Sequence, residues 1–153
     1  MHINVLEIFF SKPFLAAIIA QQSSQLFKIF LPIFQGKPPN IKKYLDYGDI
    51  PSAHTAFITA VTSAIGLQEG WDSPLTALAV VVAGILIYDI IKLRKAVEVN
   101  LAMTMRLLDQ AKLPLEEKLP QFKGHSPLEV ITGGVWGAVC AVILVEFLPQ
   151  LKF

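Results

Sequence analysis

Residues 75–91 read LTALAVVVAGILIYDII, apolar on every side of a helix until Asp89. A helix with no polar face has nothing to show to water. It belongs in a bilayer, which asks for about 20 mostly apolar residues per crossing. Working outward, residues 127–148 (PLEVITGGVWGAVCAVILVEFL) carry acids only near their ends, at Glu129 and Glu146, and form a second span. Residues 55–67 are marginal alone and reach spanning length when extended to 52–71. Residues 13–34 are apolar at both ends, with Gln21, Gln22, Ser23, Ser24, Gln25 and Lys28 between, which predicts a span whose polar face looks inward. A signal peptide is the alternative for that segment. Against it stand the lack of a basic residue before Lys12 and a Gln/Ser cluster where a small-residue cleavage site would fall.

The fold expected is therefore all-α: a polytopic membrane helical bundle of about four transmembrane helices, at about 13–34, 52–71, 74–91 and 127–148, in a single membrane-embedded domain over 1–153. A soluble four-helix bundle is the rival, and the polar-faceless third span opposes it. Composition agrees. Of the 153 residues 54% are hydrophobic and 16% charged, against about 25% charged in soluble domains. One cysteine, Cys140, excludes a disulfide framework. A net charge of +1 gives no field for phosphate backbones, so no nucleic-acid partner is expected.

The charge distribution orients the bundle. Ten of the thirteen basic residues lie in two connections, 36–53 and 92–126. The short connection at 68–74 has Glu69 and Asp72 and no base. With four spans the two basic connections share one side, which the positive-inside rule assigns to the cytoplasm, with both termini outside. The expected location is the cell (plasma or inner) membrane, multi-pass. Residues 96–113 (AVEVNLAMTMRLLDQAKL) place Val97, Leu101, Met105 and Leu108 at helical spacing and predict a cytoplasmic amphipathic helix, lying on the interface or packed on the bundle.

Ionisable residues at membrane depth are costly and so mark candidate sites. His54 opens span two, His125 precedes span four, Lys28 lies late in span one, and Asp89 and Arg94 straddle the end of span three. The parity of the spans brings all of them to the basic face. Pro51-Ser52 and Ser126-Pro127 are helix-start signatures, and free N–H groups with a positive dipole end suit an anion. Nearby cations would hold phosphate oxygens. Two histidines can divide phosphoryl transfer, one attacking phosphorus and one protonating the leaving alkoxide. His125 and Glu129, four apart, would share a helix face, where the carboxylate orients the imidazole. Each residue also has a structural reading. Either histidine can serve as a cap or interfacial polar group, Lys28 can snorkel, and Asp89 with Arg94 can be an ion pair. Thr55, Thr59, Thr62 and Ser63, like Gly133, Gly134 and Gly137, read first as helix-packing residues. His54, His125, Glu129 and Asp49 form no dense ligand motif, so no metal is expected.

Several motifs together resemble a family. IPSAHTA at 50–56, AIGLQEG at 64–70, DSP at 72–74, Tyr88-Asp89 with Arg94, and GHSPLEV at 124–130 look like the divergent branch of the type-2 phosphatidic acid phosphatase superfamily, which is related to acid phosphatases and vanadium haloperoxidases. The likeness runs from about Lys28 into span four. It implies that Lys28 is a phosphate-binding lysine, His54 the general acid, His125 the phosphohistidine-forming nucleophile and Glu129 its orienting partner. It also implies hydrolysis of lipid phosphates without a metal or other cofactor.

The chain departs from the superfamily's Lys-x6-Arg-Pro, Pro-Ser-Gly-His and Ser-Arg-x5-His-x3-Asp motifs in four places. Lys37-Pro38 comes late after Lys28, Ala53 replaces glycine, Glu129 replaces aspartate, and the Ser-Arg is absent. Arg94 is the expected replacement for the missing arginine, with Lys37, Ser52 and Lys123 completing the phosphate contacts and Asp89 and Asp49 supporting. The expected activity is hydrolysis of a phosphomonoester on a phospholipid, such as phosphatidylglycerophosphate or phosphatidate, at the cytoplasmic face. The alternatives are a non-catalytic membrane protein binding anionic lipid and a prenyl diphosphate phosphatase, with vanadate-dependent oxidation the remotest. Four spans instead of the superfamily's usual six leave a thin wall around the site, which a homodimer would complete.

Overall fold

The computed structural model describes residues 7–41, 50–112 and 126–147. Five α-helices account for most of them: α1 (Glu7–Phe10), α2 (Lys12–Phe30), α3 (Ala53–Glu69), α4 (Pro74–Gln110) and α5 (Pro127–Val142). A 3-10 turn, Leu31–Gln35, continues α2, and a π turn, Ile143–Phe147, continues α5. Among the described residues there is no strand. The chain is an all-α membrane protein.

Three of the helices start at a serine cap. Ser52, Ser73 and Ser126 sit in extended conformation at the N-caps of α3, α4 and α5, and each hydroxyl accepts an N–H from the third residue on. Proline follows the cap at Pro74 and Pro127, where the missing N–H costs nothing. α2 stops at Pro32 and turns through Gly36, whose φ of 70° is left-handed. The Asn40 N–H then donates to the Ile29 carbonyl, folding the chain back onto the end of α2.

The core inverts the pattern of a water-soluble protein. Its centre is Ala16 and Ala20 of α2, Ala56, Ala60 and Ala64 of α3, Ala141 of α5 and Leu144 of the π turn. The largest fully buried side chains are Thr55, Thr76, Pro51, Ser24 and Ser52. Large apolar residues point outward instead: Leu78, Val81 and Ile85 of α4 are about 60% exposed, as are Ile131 and Val135 of α5. Water would not tolerate that surface, whereas hydrocarbon tails do. Small residues inside let backbones approach, the usual basis of helix association in lipid. At the α3–α5 seam a Cβ on Gly133 would lie 2.4 Å from the Ser52 carbonyl oxygen, and one on Gly137 2.3 Å from that of Ala56. Gly134, on the neighbouring face, has nothing closer than 3.8 Å. The packing role read for this glycine cluster thus falls on two of its three members.

Antiparallel α2 packs on α3 and α5. The Lys12 ammonium donates to the Val145 carbonyl at one end, and the Trp136 indole N–H donates to the Ser23 hydroxyl further along, with Phe27 against the Trp136 ring. These contacts build the segment into the core of the bundle. Its polar face is inward at Ser23, Ser24 and Lys28, while Gln22 is exposed.

Three of these segments, Lys12–Phe34, Pro74–Gln110 and Pro127–Phe147, are long and apolar enough to cross a bilayer by length and composition. α3 has 17 residues, about 26 Å at 1.5 Å per residue, and is short for a hydrocarbon core of about 30 Å. It still traverses the bundle: α2 ends where α3 begins, and α4 begins where α3 ends, with the Thr76 hydroxyl donating to the Gly70 carbonyl. Neighbours on both sides screen its ends.

One expectation is corrected. The amphipathic segment 96–113 is not a separate helix; α4 runs unbroken for 37 residues to Gln110. No glycine or proline interrupts residues 85–110, so nothing stops the helix at the end of its apolar part. At about 55 Å it outreaches the bilayer by roughly 25 Å.

Candidate functional site

The site end of the bundle is fixed by two helix starts held together. The Ser52 amide N–H, at the cap of α3, donates to the Glu129 carbonyl in the first turn of α5 at 2.9 Å. Gly133 makes that approach possible, because its bare Cα lies against the Ser52 backbone. The positive ends of two helix dipoles therefore point the same way from adjacent positions, which favours an anion in front of them.

Lys28 reaches the same level. Ala20 of α2 shares the core cluster with Ala56 and Ala60. Eight residues further on, about 12 Å along antiparallel α2, Lys28 comes opposite the start of α3. It is 2% exposed. Snorkelling is thereby overturned: Lys28 sits on the same packed stripe as Ala20 and Ser24 and is held inside the bundle.

Ser52 is fully buried, and its hydroxyl accepts from both the Thr55 N–H and the Thr55 hydroxyl. His54, two residues past the cap, is exposed on a cavity of about 480 Å³ together with Asp89 and Gln21. The remaining walls of that cavity are apolar: Phe57, Ile58, Leu86, Ile90 and Leu93.

Glu129 is 7% exposed and closes a capping box. Its carboxylate Oε2 accepts the Ser126 N–H at 3.2 Å while its own N–H donates to the Ser126 hydroxyl. The helix starts at Pro127 with Ser126 as its cap. Spacing of four therefore does not set His125 and Glu129 on one helix face, since His125 precedes the cap. The carboxylate is instead turned back toward the peptide that joins Ser126 to His125, and with one oxygen capping, the other keeps acceptor capacity. His125, Lys123 and Asp49 lie outside the described residues.

Lys37 is exposed in the turn after α2, with its N–H donating to the Pro32 carbonyl. Asp89 and Arg94 both fall within α4. Five positions set their Cα atoms about 140° apart around a continuous helix.

Sequence reasoning treated Lys92 and Lys95 only as loop charges. They line a second cavity, of about 700 Å³, with Asn100, Ser126 and Glu129. Their spacing of three on a continuing helix was the available signal, hidden by ending the span at residue 91. Lys95 also pairs with Glu98 at 3.2 Å in an exposed setting, worth little by itself.

An all-α bundle of small-residue seams, with two capped helix starts and a buried lysine at one end, defines a polytopic membrane protein. A family model described as the divergent PAP2 family matches residues 9–140, and the chain belongs to that family. It is also 26% identical to an uncharacterized membrane protein, YuiD, of Bacillus subtilis (strain 168), over 93% of this chain and 99% of that one. No solved structure matches.

Proposed function

We propose that this protein is a lipid phosphate phosphatase of the membrane, hydrolysing a phosphomonoester such as phosphatidylglycerophosphate or phosphatidate. The observation that carries this reading is the convergence of the α3 and α5 starts with buried Lys28 at one end of the bundle. Family membership supports it.

In this reading the neutral His125 imidazole attacks phosphorus, the bond from phosphorus to the lipid oxygen breaks, and protonated His54 gives its proton to that oxygen. Water then attacks the phosphohistidine, His54 takes the proton, and inorganic phosphate leaves. Lys28, Arg94, Lys37, Ser52 and Lys123 hold the phosphate oxygens, with Asp89 and Asp49 supporting. Glu129 orients His125. The basic connections put this end in the cytoplasm of a cell membrane, so a lipid phosphate of the inner leaflet reaches it directly and an outward-facing prenyl diphosphate does not. A homodimer would thicken the wall of a four-span site.

One observation favours a second reading, a non-catalytic binder of anionic lipid. His54 and Glu129 line separate cavities. Phosphate release from several lipid phosphates, measured on purified protein with and without chelator, decides between the two. Release abolished by His54→Ala and by His125→Ala supports the phosphatase. No release from any lipid supports the binder, and release that survives both substitutions refutes the site assignment. Loss of release with chelator would require a metal.

A further inference from the structure

Helices α2 and α4 are neighbours of α3 on either side, yet among the described residues no pair of their Cα atoms comes within 8 Å. The space between them is the 480 Å³ cavity that bears His54. Its floor is the α3 face at Phe57 and Ile58, and its α4 wall is Leu86, Ile90 and Leu93. From Leu93 to Leu86 that wall extends about 10 Å along the helix, away from the site end. The volume lies in the range of sites for small organic ligands, about 300–1,000 Å³. The polarity changes along the cavity: Leu86, Phe57 and Ile58 are apolar on the bilayer side of the ionisable pair His54 and Asp89, and Leu93 lies one turn beyond Asp89 toward the site end. This is the polarity of one lipid chain joined to its head group.

We propose that the α2–α4 gap is the lateral entrance for the lipid substrate and holds one of its acyl or alkyl chains. The inference rests on the lipid phosphatase reading. A lipid entering from the bilayer slides its chain between α2 and α4 over Phe57 and Ile58, and its head group arrives at His54 without leaving the membrane. Asp89 sorts the charges. A carboxylate beside the gap repels the phosphate from the gap itself and favours its lying beyond His54, toward Lys28 and the α5 start. Gln21 gives the chain's ester region a hydrogen-bonding group part-way down. The walls are side chains on rigid helices, so chain selectivity resides in Phe57 and Leu86.

The test uses the full-length protein in phosphatidylcholine vesicles with a phosphatidate whose acyl chain carries a photoreactive diazirine. Labelling is expected at Phe57, Ile58 and Leu86 above that at the outward-facing Leu78, Val81 and Ile131, and competed by unlabelled phosphatidate but not by added phosphatidylcholine. Equal labelling of both sets would mean ordinary surrounding lipid and would overturn the proposal. So would benzoylphenylalanine at position 86 capturing a second copy of the chain, which would make the gap a subunit interface. Kinetics give an independent arm. Leu86→Trp narrows the gap and is expected to lower the ratio of kcat/KM for long-chain over short-chain phosphatidate by about tenfold or more, as hydrophobic pockets do when a few methylenes no longer fit. Val81→Trp, on the lipid face, leaves the ratio unchanged. An unchanged ratio in Leu86→Trp overturns the entrance while leaving the phosphatase reading intact. Competed labelling in a protein that releases no phosphate retains the entrance and removes the phosphatase.

Discussion

A methyl group on Gly137 is the sharpest perturbation this bundle offers. Its Cβ would stand 2.3 Å from the Ala56 carbonyl oxygen and 3.0 Å from the Ala56 carbonyl carbon and the Ala60 nitrogen. All three are backbone atoms of a helix, so no rotamer change relieves the contact. α3 and α5 must part by about 1 Å to restore ordinary van der Waals separation. Overpacking of this kind typically costs about 1–3 kcal/mol. The cost should fall at the upper end here, because the same seam carries the bond from Ser52 N–H to the Glu129 carbonyl. The catalytic consequence is larger, since a misplacement of about 1 Å costs on the order of 100-fold in rate. Gly134→Ala is the matched control. It adds the same methyl group in the same helix, where the nearest atom is 3.8 Å away, and it should be neutral or slightly stabilising. Thermal unfolding in detergent followed by size-exclusion chromatography, with phosphate release on the same samples, reads both effects. Equal melting temperatures for the two variants would refute the close α3–α5 seam and the site geometry built on it.

Glu129 separates its two roles by substitution. Glu129→Gln keeps an acceptor for the Ser126 N–H and should melt like the wild type while losing phosphate release at least tenfold. Glu129→Ala should lose release and also about 1 kcal/mol of stability, the usual worth of a cap, measured in the same melting assay. Lys28→Met removes the buried charge but keeps the stem. It should raise the concentration of inorganic phosphate or vanadate needed to inhibit release, without unfolding the protein; unchanged inhibition would remove Lys28 from the site. Cysteine introduced at Lys37, in a Cys140→Ala background, should react with a membrane-impermeant maleimide only after the cells are opened. Labelling of intact cells would reverse the orientation.

The third span was legible because nothing in residues 75–88 offers water a polar face. The starts of α3 and α5 were legible because Pro51-Ser52 and Ser126-Pro127 are helix-start signatures, and Ser52 and Ser126 are the caps. The end of α4 was not. Hydropathy marks where apolar residues stop, whereas helix continuation depends on backbone propensity, and residues 92–110 are good helix formers with no breaker. That error hid Lys92 and Lys95 as members of a cavity. It also made Asp89 and Arg94 look like partners across a helix end, although both lie within one continuous helix. Whether His125 and Glu129 share a face was not legible for a related reason. A spacing of four means a shared face only inside a helix, and Pro127 allows the helix to begin two residues too late for that. Lys28 could be placed in sequence but not in depth. Its burial follows from Ser24, Ala20 and Ala16, about one, two and three turns before it on the packed side of α2, a stripe of small residues that marks the interface more clearly than the polar cluster around it.

The shortness of α3 is what links fold to site. A helix of 17 residues cannot carry its start into the head-group layer on one side without sinking on the other, so Ser52 and His54 belong near the edge of the hydrocarbon, beneath the interface. Only a helix shielded by neighbours tolerates polar groups at that depth, and α3 is shielded by α2, α4 and α5 through alanine and glycine contacts. The small residues lie on the α3 faces that meet α2 and α5, whereas the face between α2 and α4, where the gap remains, carries His54, Phe57 and Ile58. A larger residue at Ala56, Ala60 or Gly137 would part α3 from α5 and pull Ser52 from Glu129. Close packing on one side of α3 and an opening on the other thus follow from which of its faces carries the small side chains. On the proposed reading, they set the phosphate site within reach of a lipid that never has to leave the bilayer.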